Sequence, residues 1–158
     1  MEKPTDENGF QGRHVKMMRR SLKLLTGLDL LADSEENSSE QELGRQVFEA
    51  GFALVSHDTS SDPIFNYANQ TALDLFEMNW KEFTSLPSRI SAEQVHREER
   101  EAMMNQVRTK GVISNYQGVR ISKNGNRFWI ERAVVWNLLN DEGEVCGQAA
   151  RFSEWKPL

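Results

Sequence analysis

The sequence predicts an α+β fold in which helices cover one antiparallel sheet of five strands. Residues 112–155 contain three strand-like runs separated by two turns. Residues 52–57 and 64–68 form an earlier pair of such runs, and helical patterns fill the chain between the two groups. Because two strands come first, three come last and helices lie between them, the elements assemble as α+β. We expect the helices over one face of the sheet.

The composition is that of an ordinary folded protein with an acidic balance. The 158 residues carry a formal net charge of −5, and 38% of them are hydrophobic, which fits one domain with an extension. The negative charge argues against direct nucleic-acid binding. The single cysteine, Cys146, excludes an internal disulfide framework and indicates a cytoplasmic or other intracellular reducing compartment. We expect neither a membrane span nor a secretory signal.

The N-terminal part divides into a polar start and a basic amphipathic helix. Residues 1–12 are predicted to be disordered, and residues 13–45 comprise the helix and a linker before the main domain at residues 46–155. The helix, residues 13–32, has an apolar stripe opposite a basic side; the stripe consists of Val15, Met18, Leu22 and Leu25. We expect it to dock on its own domain, or to bind a second copy of the chain or another protein. The sheet face is the other candidate surface for such a partner. The alternative for the basic side is an anionic membrane or a partner's groove.

Capping signals and turn residues mark the next elements. Ser39 stands three residues before Glu42, the spacing of a capping box, and opens a short helix after an acidic linker at residues 33–39. Residues 52–57 and 64–68 follow as a hairpin.

Polar residues open three further helices. Asn69 is placed to cap the first of them and Asn79 the second. Ser91 and Gln94 have capping-box spacing and start a longer helix that runs to Lys110. The inward positions of the long helix are predicted to be Val95, Ala102, Met103 and Val107.

The last three strands are predicted to form a meander. Asn124-Gly125 favours a two-residue type I′ turn, because both central residues need positive φ, and residues 140–143 form the second turn. Alternation assigns one face of the middle strand to Phe128, Ile130, Val134, Trp136 and Leu138. It assigns the other face to Trp129, Glu131, Ala133, Val135 and Asn137, so that Trp129 and Trp136 face opposite sides.

Some residue types of catalytic and metal sites occur without the geometry those sites need. Ser56-His57-Asp58 contains hydrolase residue types, but adjacent strand residues point to opposite faces and cannot form a relay. Asp74 and Glu131 remain as candidate catalytic bases, each with an alternative surface position. The three histidines have no metal-ligand spacing. We therefore predict neither catalytic residues nor a metal site.

The order of elements and several local motifs resemble the PAS domain. IFNYANQTA at residues 64–72 is similar to its second strand and first inner helix, ISKNG at 121–125 to its hairpin, and GQAARFSE at 147–154 to its last strand. More closely, FNYANQTALDLFEMNWKEFTSLPSR, GVRISKNGNRFWIE and VWNLL with GQAARF resemble the MEKHLA-type PAS-like domain, over about residues 14–155. The resemblance implies a PAS-like five-stranded antiparallel sheet with helices on one face, preceded by an N-terminal helical extension.

The chain departs from flavin-binding, light-sensing PAS domains at positions that carry their chemistry. Residues 86–94, which correspond to their Asn-Cys-Arg helix, contain no cysteine, and Ile130 stands where an Asn would contact the flavin ring. The sequence requires no cofactor, and the resemblance leaves flavin binding without a cysteine adduct as an option. His96 is the candidate haem ligand on the long helix, but its charged neighbours indicate a position in solvent.

Polar and aromatic side chains on the strands are candidates for a ligand pocket between sheet and helices. They are Asn66, Asn69, Tyr116, Trp129, Trp136, Gln148 and Arg151. Helix capping, cross-strand pairing and contact with water are the alternative roles of these residues. The sequence thus predicts a non-catalytic sensory or interaction module that binds a small ligand or a protein partner and dimerises through its N-terminal helix. The alternatives are a small pocket enzyme of the isomerase or hydrolase kind and a flavin photoreceptor without the adduct cysteine.

Overall fold

The computed structural model describes residues 1–31, 39–93 and 96–158. Residues 33–38 of the predicted acidic linker lie outside these ranges. The helices are α1 (Gly12–Thr26), α2 (Glu40–Phe48), α3 (Gln70–Phe76), α4 (Trp80–Phe83) and α5 (Arg97–Lys110). The strands are β1 (Ala53–His57), β2 (Phe65–Ala68), β3 (Val112–Ile121), β4 (Arg127–Leu139), β5 (Val145–Phe152) and β6 (Glu154–Pro157). Short 3₁₀ segments occur at Asp6–Gln11 and Ser88–Ser91.

The strands form one antiparallel sheet in the order β2-β1-β5-β4-β3. The five strands predicted from the sequence are confirmed. The sixth strand, β6, is not predicted: after Ser153 the chain turns back into the sheet and pairs with residues 128–131 of β4. β5 pairs with residues 134–139 of the same strand, so β5 and β6 flank one edge of β4 in succession.

Two β-bulges, one on β3 and one on β4, lie on either side of the Tyr116–Ala133 pair. Arg132 on β4 has φ of 54° and Asn115 on β3 has φ of 57°, and the pairing register shifts beside each of them. A bulge inserts one unpaired residue and so reverses the alternation of side chains beyond it. Ile130 and Ala133, three positions apart, consequently line the same cavity.

The face assignment predicted for β4 is therefore wrong beyond Arg132. Ile130, Ala133 and Val135 share the inner face, whereas Trp129 and Trp136 both lie on the outer face. Simple period-two counting cannot detect this, because it assumes an uninterrupted pleat.

The helices between β2 and β3 cover one face of the sheet, as predicted, and the N-terminal helix α1 docks on the other face. α3, α5 and the segment Ser88–Ser91 border the inner face around the cavity. α1 lies across the outer face. The indole Nε1 of Trp136 donates to the carbonyl oxygen of Met18 at 3.1 Å, and the backbone N–H of Leu139 donates to Ser21 Oγ at 2.9 Å.

The amphipathic pattern of α1 is satisfied within the chain. The buried stripe consists of Val15, Met18 and Leu22. Several cations on the other side of the helix meet acidic residues: Arg19 pairs with Asp29 at 2.7 Å and Arg20 with Asp141 at 3.1 Å. The helix ends at Gly27 in the left-handed conformation, earlier than predicted, because glycine adopts that conformation at little cost.

Residues before α1 are ordered, in contrast to the disorder predicted for residues 1–12. The segment Asp6–Gln11 forms 3₁₀ turns, and the chain then passes directly against α2. A Cβ atom at Gly12 would lie 2.0 Å from the backbone oxygen of Glu40, and one at Gly44 would lie 2.6 Å from that of Phe10. The absence of a side chain at Gly12 and Gly44 thus allows the backbone before α1 to pack closely against α2. The polar sequence around these glycines gives no sign of this packing.

Predicted helix caps agree with the structure at three positions. Ser39 Oγ accepts from the backbone N–H of Glu42 at 3.1 Å. Asn69 caps α3 and Asn79 caps α4, each through its side-chain oxygen.

The predicted start of the long helix differs from the structure. Ser91 belongs to a 3₁₀ segment, and its predicted partner Gln94 lies outside the described residues, as does Val95. α5 begins at Arg97, and Ala102 is exposed. The buried side chains of α5 are Arg100, Met104 and Val107.

The two meander turns are where the sequence places them, but the first has a different geometry. Positive φ falls on Gly125 and not on Asn124, so the turn is not type I′. The N–H of Gly125 donates to the carbonyl of Ser122 at 3.0 Å. In the second turn Gly143 supplies the positive φ, as predicted for residues 140–143.

Candidate functional site

A cavity of about 60 Å³ lies between the inner face of the sheet and α5. Ile130, Ala133 and Val135 of β4 supply an apolar wall, and Ser88 and Ser91 border it from the 3₁₀ segment. The volume is several times the roughly 10–15 Å³ that one water molecule needs. It is well below the roughly 300 Å³ of an ordinary small-molecule pocket, so the present shape suits only a small ligand.

Arg100 enters the cavity from α5 and is 4% exposed. Its Nη2 donates to Ser88 Oγ, and its Nη1 donates to Glu101 Oε1 at 3.1 Å. Burial, followed by the nearby charge of Arg120, lowers the pKa of Arg100 to about 10. The guanidinium is therefore still charged at neutral pH, at an electrostatic cost.

Arg120 enters the cavity from β3 and is 8% exposed. Its Nη1 donates to the carbonyl of Val119 at 2.8 Å and its Nη2 to the hydroxyl of Tyr116 at 3.0 Å. Gly118 lies between them on the same face, where a Cβ atom would stand 2.8 Å from the Tyr116 hydroxyl. The partners of Arg120 are thus neutral groups.

His57 and Gln148 border the opposite part of the cavity, on β1 and β5. His57 Nδ1 lies 2.7 Å from the carbonyl oxygen of Asp58, and because a carbonyl only accepts, Nδ1 carries the proton and Nε2 is left as an acceptor. Burial, as the largest cause, lowers the pKa of His57. The imidazole is therefore neutral at pH 7.

Gln148 is buried with one of its two polar atoms unpartnered. Its Nε2 donates to Asn137 Oδ1 at 3.3 Å and lies 3.5 Å from the carbonyl of Met104. Its Oε1 has no hydrogen-bond partner in the part of the chain that the structure describes. A buried acceptor in that condition is unfavourable unless a donor reaches it.

Two of the seven predicted pocket residues, Tyr116 and Gln148, line the cavity. Asn69 does not: its side chain accepts from Leu54 and Ala72 and donates to Val47 and Phe52. All four bonds go to backbone atoms, so Asn69 ties α2, β1 and α3 together.

The other four predicted residues lie outside the cavity lining. Asn66 contacts the hydroxyl of Ser56. Trp129 and Trp136 occupy the outer face of β4, the first beside Glu131 and the second beneath α1. Arg151 places its guanidinium carbon 4.2 Å from the centre of the Phe52 ring.

The sequence-based prediction missed the three titratable side chains Arg100, Arg120 and His57, and the hydroxyl residues Ser56, Ser88 and Ser91, which also line the cavity. Arg100 is in a run of charged residues that is typical of a solvated helix face, yet its spacing to Met104 and Val107 marks the buried stripe. That spacing is the signal that could have identified it.

The residues considered for catalysis do not converge on the cavity. Ser56 and His57 both border the cavity, but Ser56 Oγ lies 2.9 Å from His14 Nε2 of α1, on the face opposite to the His57 side chain. Asp74 is exposed on α3, and Glu131 pairs with Lys156 at 3.5 Å. Within the described residues no group of three His, Cys, Asp or Glu side chains is arranged to hold a metal ion.

Cys146 lies away from the cavity. Its Sγ contacts Met17 Sδ of α1 at 3.5 Å, and burial raises the pKa of the thiol, which keeps it protonated at neutral pH.

None of the described helices combines the length and apolar content that a membrane crossing requires.

Comparison with known proteins gives one family match and a set of plant relatives. The family model described as the MEKHLA domain matches residues 12–157. The homeobox-leucine zipper protein ATHB-14 of Arabidopsis thaliana is 27% identical over 143 residues, which are 89% of this chain and 17% of that protein. ATHB-9 of the same plant is 23% identical over 80% of this chain and 15% of its own length. The chain thus spans less than a fifth of these relatives.

Solved structures with similar folds include PAS and light-oxygen-voltage proteins. The PAS domain of a protein from Colwellia psychrerythraea has a TM-score of 0.63 at 13% identity, covering 75% of this chain and 95% of that one. An RNA-binding light-oxygen-voltage receptor has a TM-score of 0.65 at 19% identity, covering 80% and 36%. The blue-light photoreceptor Aureochrome1 LOV has a TM-score of 0.56 at 19% identity, covering 79% and 87%. At these identities the likeness shows the fold.

Proposed function

This chain belongs to the MEKHLA domain family and has a PAS fold, and on that premise we propose that it is a non-catalytic sensory module. In this proposal a small ligand enters the cavity between the sheet and α5, and its presence is passed through β4 to α1. The observation that carries the proposal is the cavity itself, which holds buried polar groups with unfilled hydrogen-bonding capacity on an apolar wall. Such sites are typical of ligand binding.

The two sides of β4 support the route from cavity to helix. Val135 lines the cavity, and its neighbour Trp136 is fully buried beneath α1 and bonded to Met18. Asn137, the next residue, donates to the carbonyl of Val107 on α5 at 3.1 Å. A shift of this short stretch therefore acts on α5 and α1 together.

The role of α1 in partner binding follows from where its apolar stripe lies. Val15 and Met18 are fully buried on the chain's own sheet, so a homodimer or a protein partner would gain that stripe only when α1 leaves the sheet. Leu24, near the C-terminal end of α1, and Leu28, just beyond it, are exposed apolar side chains that a partner could contact. We propose that release of α1 is the output of the module.

The cavity as it stands does not fit a flavin. Its volume of about 60 Å³ is small, and the two buried guanidiniums of Arg100 and Arg120 line it. The single cysteine, Cys146, contacts α1 and not the cavity. The proposal therefore contains no step through a flavin.

The names of the plant relatives do not transfer a DNA-binding role. They are homeobox-leucine zipper proteins, and the chain matches less than a fifth of each. The net charge of −5 supports the proposal that this chain does not itself contact nucleic acid.

A cavity-filling substitution tests the proposal. Ala133 is fully buried on the cavity wall, and Ala133→Leu places a larger apolar side chain in the space. We expect small molecules that raise the melting temperature of the wild-type protein to lose that effect in this variant. Ala102→Leu is the matched control, because Ala102 is exposed on α5. Stabilisation that persists in Ala133→Leu would contradict ligand binding in the cavity.

A further inference from the structure

The cavity carries positive charge that its own walls do not balance. Arg100 and Arg120 both line it and are 4% and 8% exposed, and none of the described lining residues is Asp or Glu. Among the described residues, only Glu101 forms an ion pair with either guanidinium, and its side chain is 54% exposed. Asp62 also acts on Arg100 electrostatically, from outside the cavity lining. Because Asp62 is itself paired with Arg89 at 3.0 Å, the two cavity cations and the one rim carboxylate of Glu101 leave a formal charge of +1 (2 − 1).

Arg120 is the less balanced of the two. It forms no ion pair within the described ranges, and its bonds go to the Val119 carbonyl and the Tyr116 hydroxyl. A buried cation with only neutral partners is unfavourable, because its lost hydration is not compensated by an opposite charge. A bound anion would supply that charge from inside the cavity.

The part of the cavity on β5 requires a different group. Gln148 is 5% exposed, and its Oε1 has no partner among the described residues. His57 Nε2 is a second acceptor on that side, since Nδ1 is engaged by the Asp58 carbonyl. The His57 and Gln148 side chains lie close enough to interact, but with the proton on Nδ1 both Nε2 and Oε1 are acceptors. A hydrogen-bond donor on a ligand would satisfy this pair.

Resting on the ligand-binding function proposed above, we propose that the cavity takes a small carboxylate held by Arg100 and Arg120. A hydroxyl group on such a ligand donates to Gln148 Oε1. A carboxylate matches the planar donor fork of arginine. The arginine fork also matches phosphate, but the apolar wall of Ile130, Ala133 and Val135 would leave some phosphate oxygens without a donor, whereas it suits the carbon end of a small carboxylate. The volume of about 60 Å³ limits the ligand to a few non-hydrogen atoms.

Lactate and lactamide test the charge requirement on the wild-type protein. The two differ in a carboxylate against a neutral amide and are otherwise alike in size. Titration calorimetry and thermal melts in a carboxylate-free buffer should show lactate binding at least tenfold more tightly than lactamide. Propionate, which lacks the hydroxyl, should bind severalfold more weakly than lactate. Inorganic phosphate should not bind.

Arginine variants locate the site. Arg120→Gln should lower lactate affinity at least tenfold, while Arg45→Gln, which removes an exposed arginine on α2 paired with Glu42 and Glu49, should leave it unchanged. If Arg120→Gln does not fold, the lactate–lactamide comparison on the wild-type chain still decides. Gln148→Met should abolish the preference for lactate over propionate.

The outcomes separate this proposal from the one it rests on. Equal binding of lactamide, or binding of phosphate in place of carboxylates, would overturn the carboxylate assignment and leave ligand sensing standing. Absence of binding by both charged and neutral small molecules would overturn the two proposals together.

Discussion

The indole Nε1 of Trp136 donates a 3.1 Å hydrogen bond to the carbonyl oxygen of Met18, which ties the middle of β4 to the middle of α1. Trp136 is fully buried, and its neighbour Val135 lines the cavity on the other side of the sheet. Val135 and Trp136 are adjacent in sequence, so a single peptide unit connects the proposed ligand site to the proposed output helix.

Trp136→Phe keeps an aromatic ring beneath α1 but removes its hydrogen bond. We expect a loss of about 1–2 kcal/mol in the free energy of unfolding, together with faster amide exchange in α1. Denaturant unfolding and hydrogen exchange measure the two effects. Trp129→Phe is the control, because Trp129 lies on the same face and bonds only to Glu131 among described residues. Equal effects of the two substitutions would show that the Met18 contact does not hold α1.

Asn69→Ala removes four buried hydrogen bonds to the backbone of α2, β1 and α3. We expect a loss of about 3 kcal/mol or more, since each unsatisfied buried group costs about 1–3 kcal/mol. Asn79→Ala removes an exposed cap of α4 and should cost only about 1 kcal/mol. Chemical denaturation compares the two. A loss at Asn69 no larger than the loss at Asn79 would contradict the view that Asn69 ties α2, β1 and α3 together.

Three helix-capping residues show what could be predicted from the sequence. The caps Ser39, Asn69 and Asn79 are local signals in which a short polar side chain reaches a backbone N–H three residues on, so neighbouring residues suffice to identify them. The positions of the strands could be predicted because turn residues, such as those at 140–143, are also local signals.

Other features depend on distant parts of the chain and carry weak local signals. The positive φ of Arg132 could not be predicted, because arginine is not a residue type that favours positive φ. It reverses the face of every later residue in β4. Arg100 is surrounded in sequence by charges, and only the packing of α5 over the sheet buries it. Among the predicted pocket residues, the bulge accounts for Trp136, which it turns to the outer face of β4.

Gly44→Ala tests the order of the N-terminal segment. In a helix this substitution normally stabilises by about 0.5–1 kcal/mol, but here the new Cβ would lie 2.6 Å from the Phe10 carbonyl oxygen. We expect a net loss of stability in thermal melts. Gly51→Ala, at a position with open space, should be nearly neutral. Stabilisation by Gly44→Ala would mean that residues 9–12 do not pack on α2.

Acid should destabilise the protein through His14. Burial lowers the pKa of this imidazole from 6.5 to about 4, so protonation favours the unfolded chain. The contribution of His14 is complete above pH 6.5 and is lost as the pH falls from 6.5 towards 4, by at most about 3 kcal/mol. His14→Gln should reduce the slope of the stability profile in that window, and the remaining slope includes the contribution of buried His57, whose pKa is also lowered. An unchanged slope in His14→Gln would contradict this assignment.

Hydrogen exchange of α1 after the cavity is filled tests the coupling between cavity and helix most directly. Ala133→Leu occupies the cavity permanently, and Ala102→Leu adds the same side chain on the exposed side of α5. The account predicts that amides of residues 15–26 exchange severalfold faster or slower in Ala133→Leu than in the wild-type protein, with no change in Ala102→Leu. Identical exchange of α1 in all three proteins, with Ala133→Leu folded, would show that the cavity does not communicate with the helix.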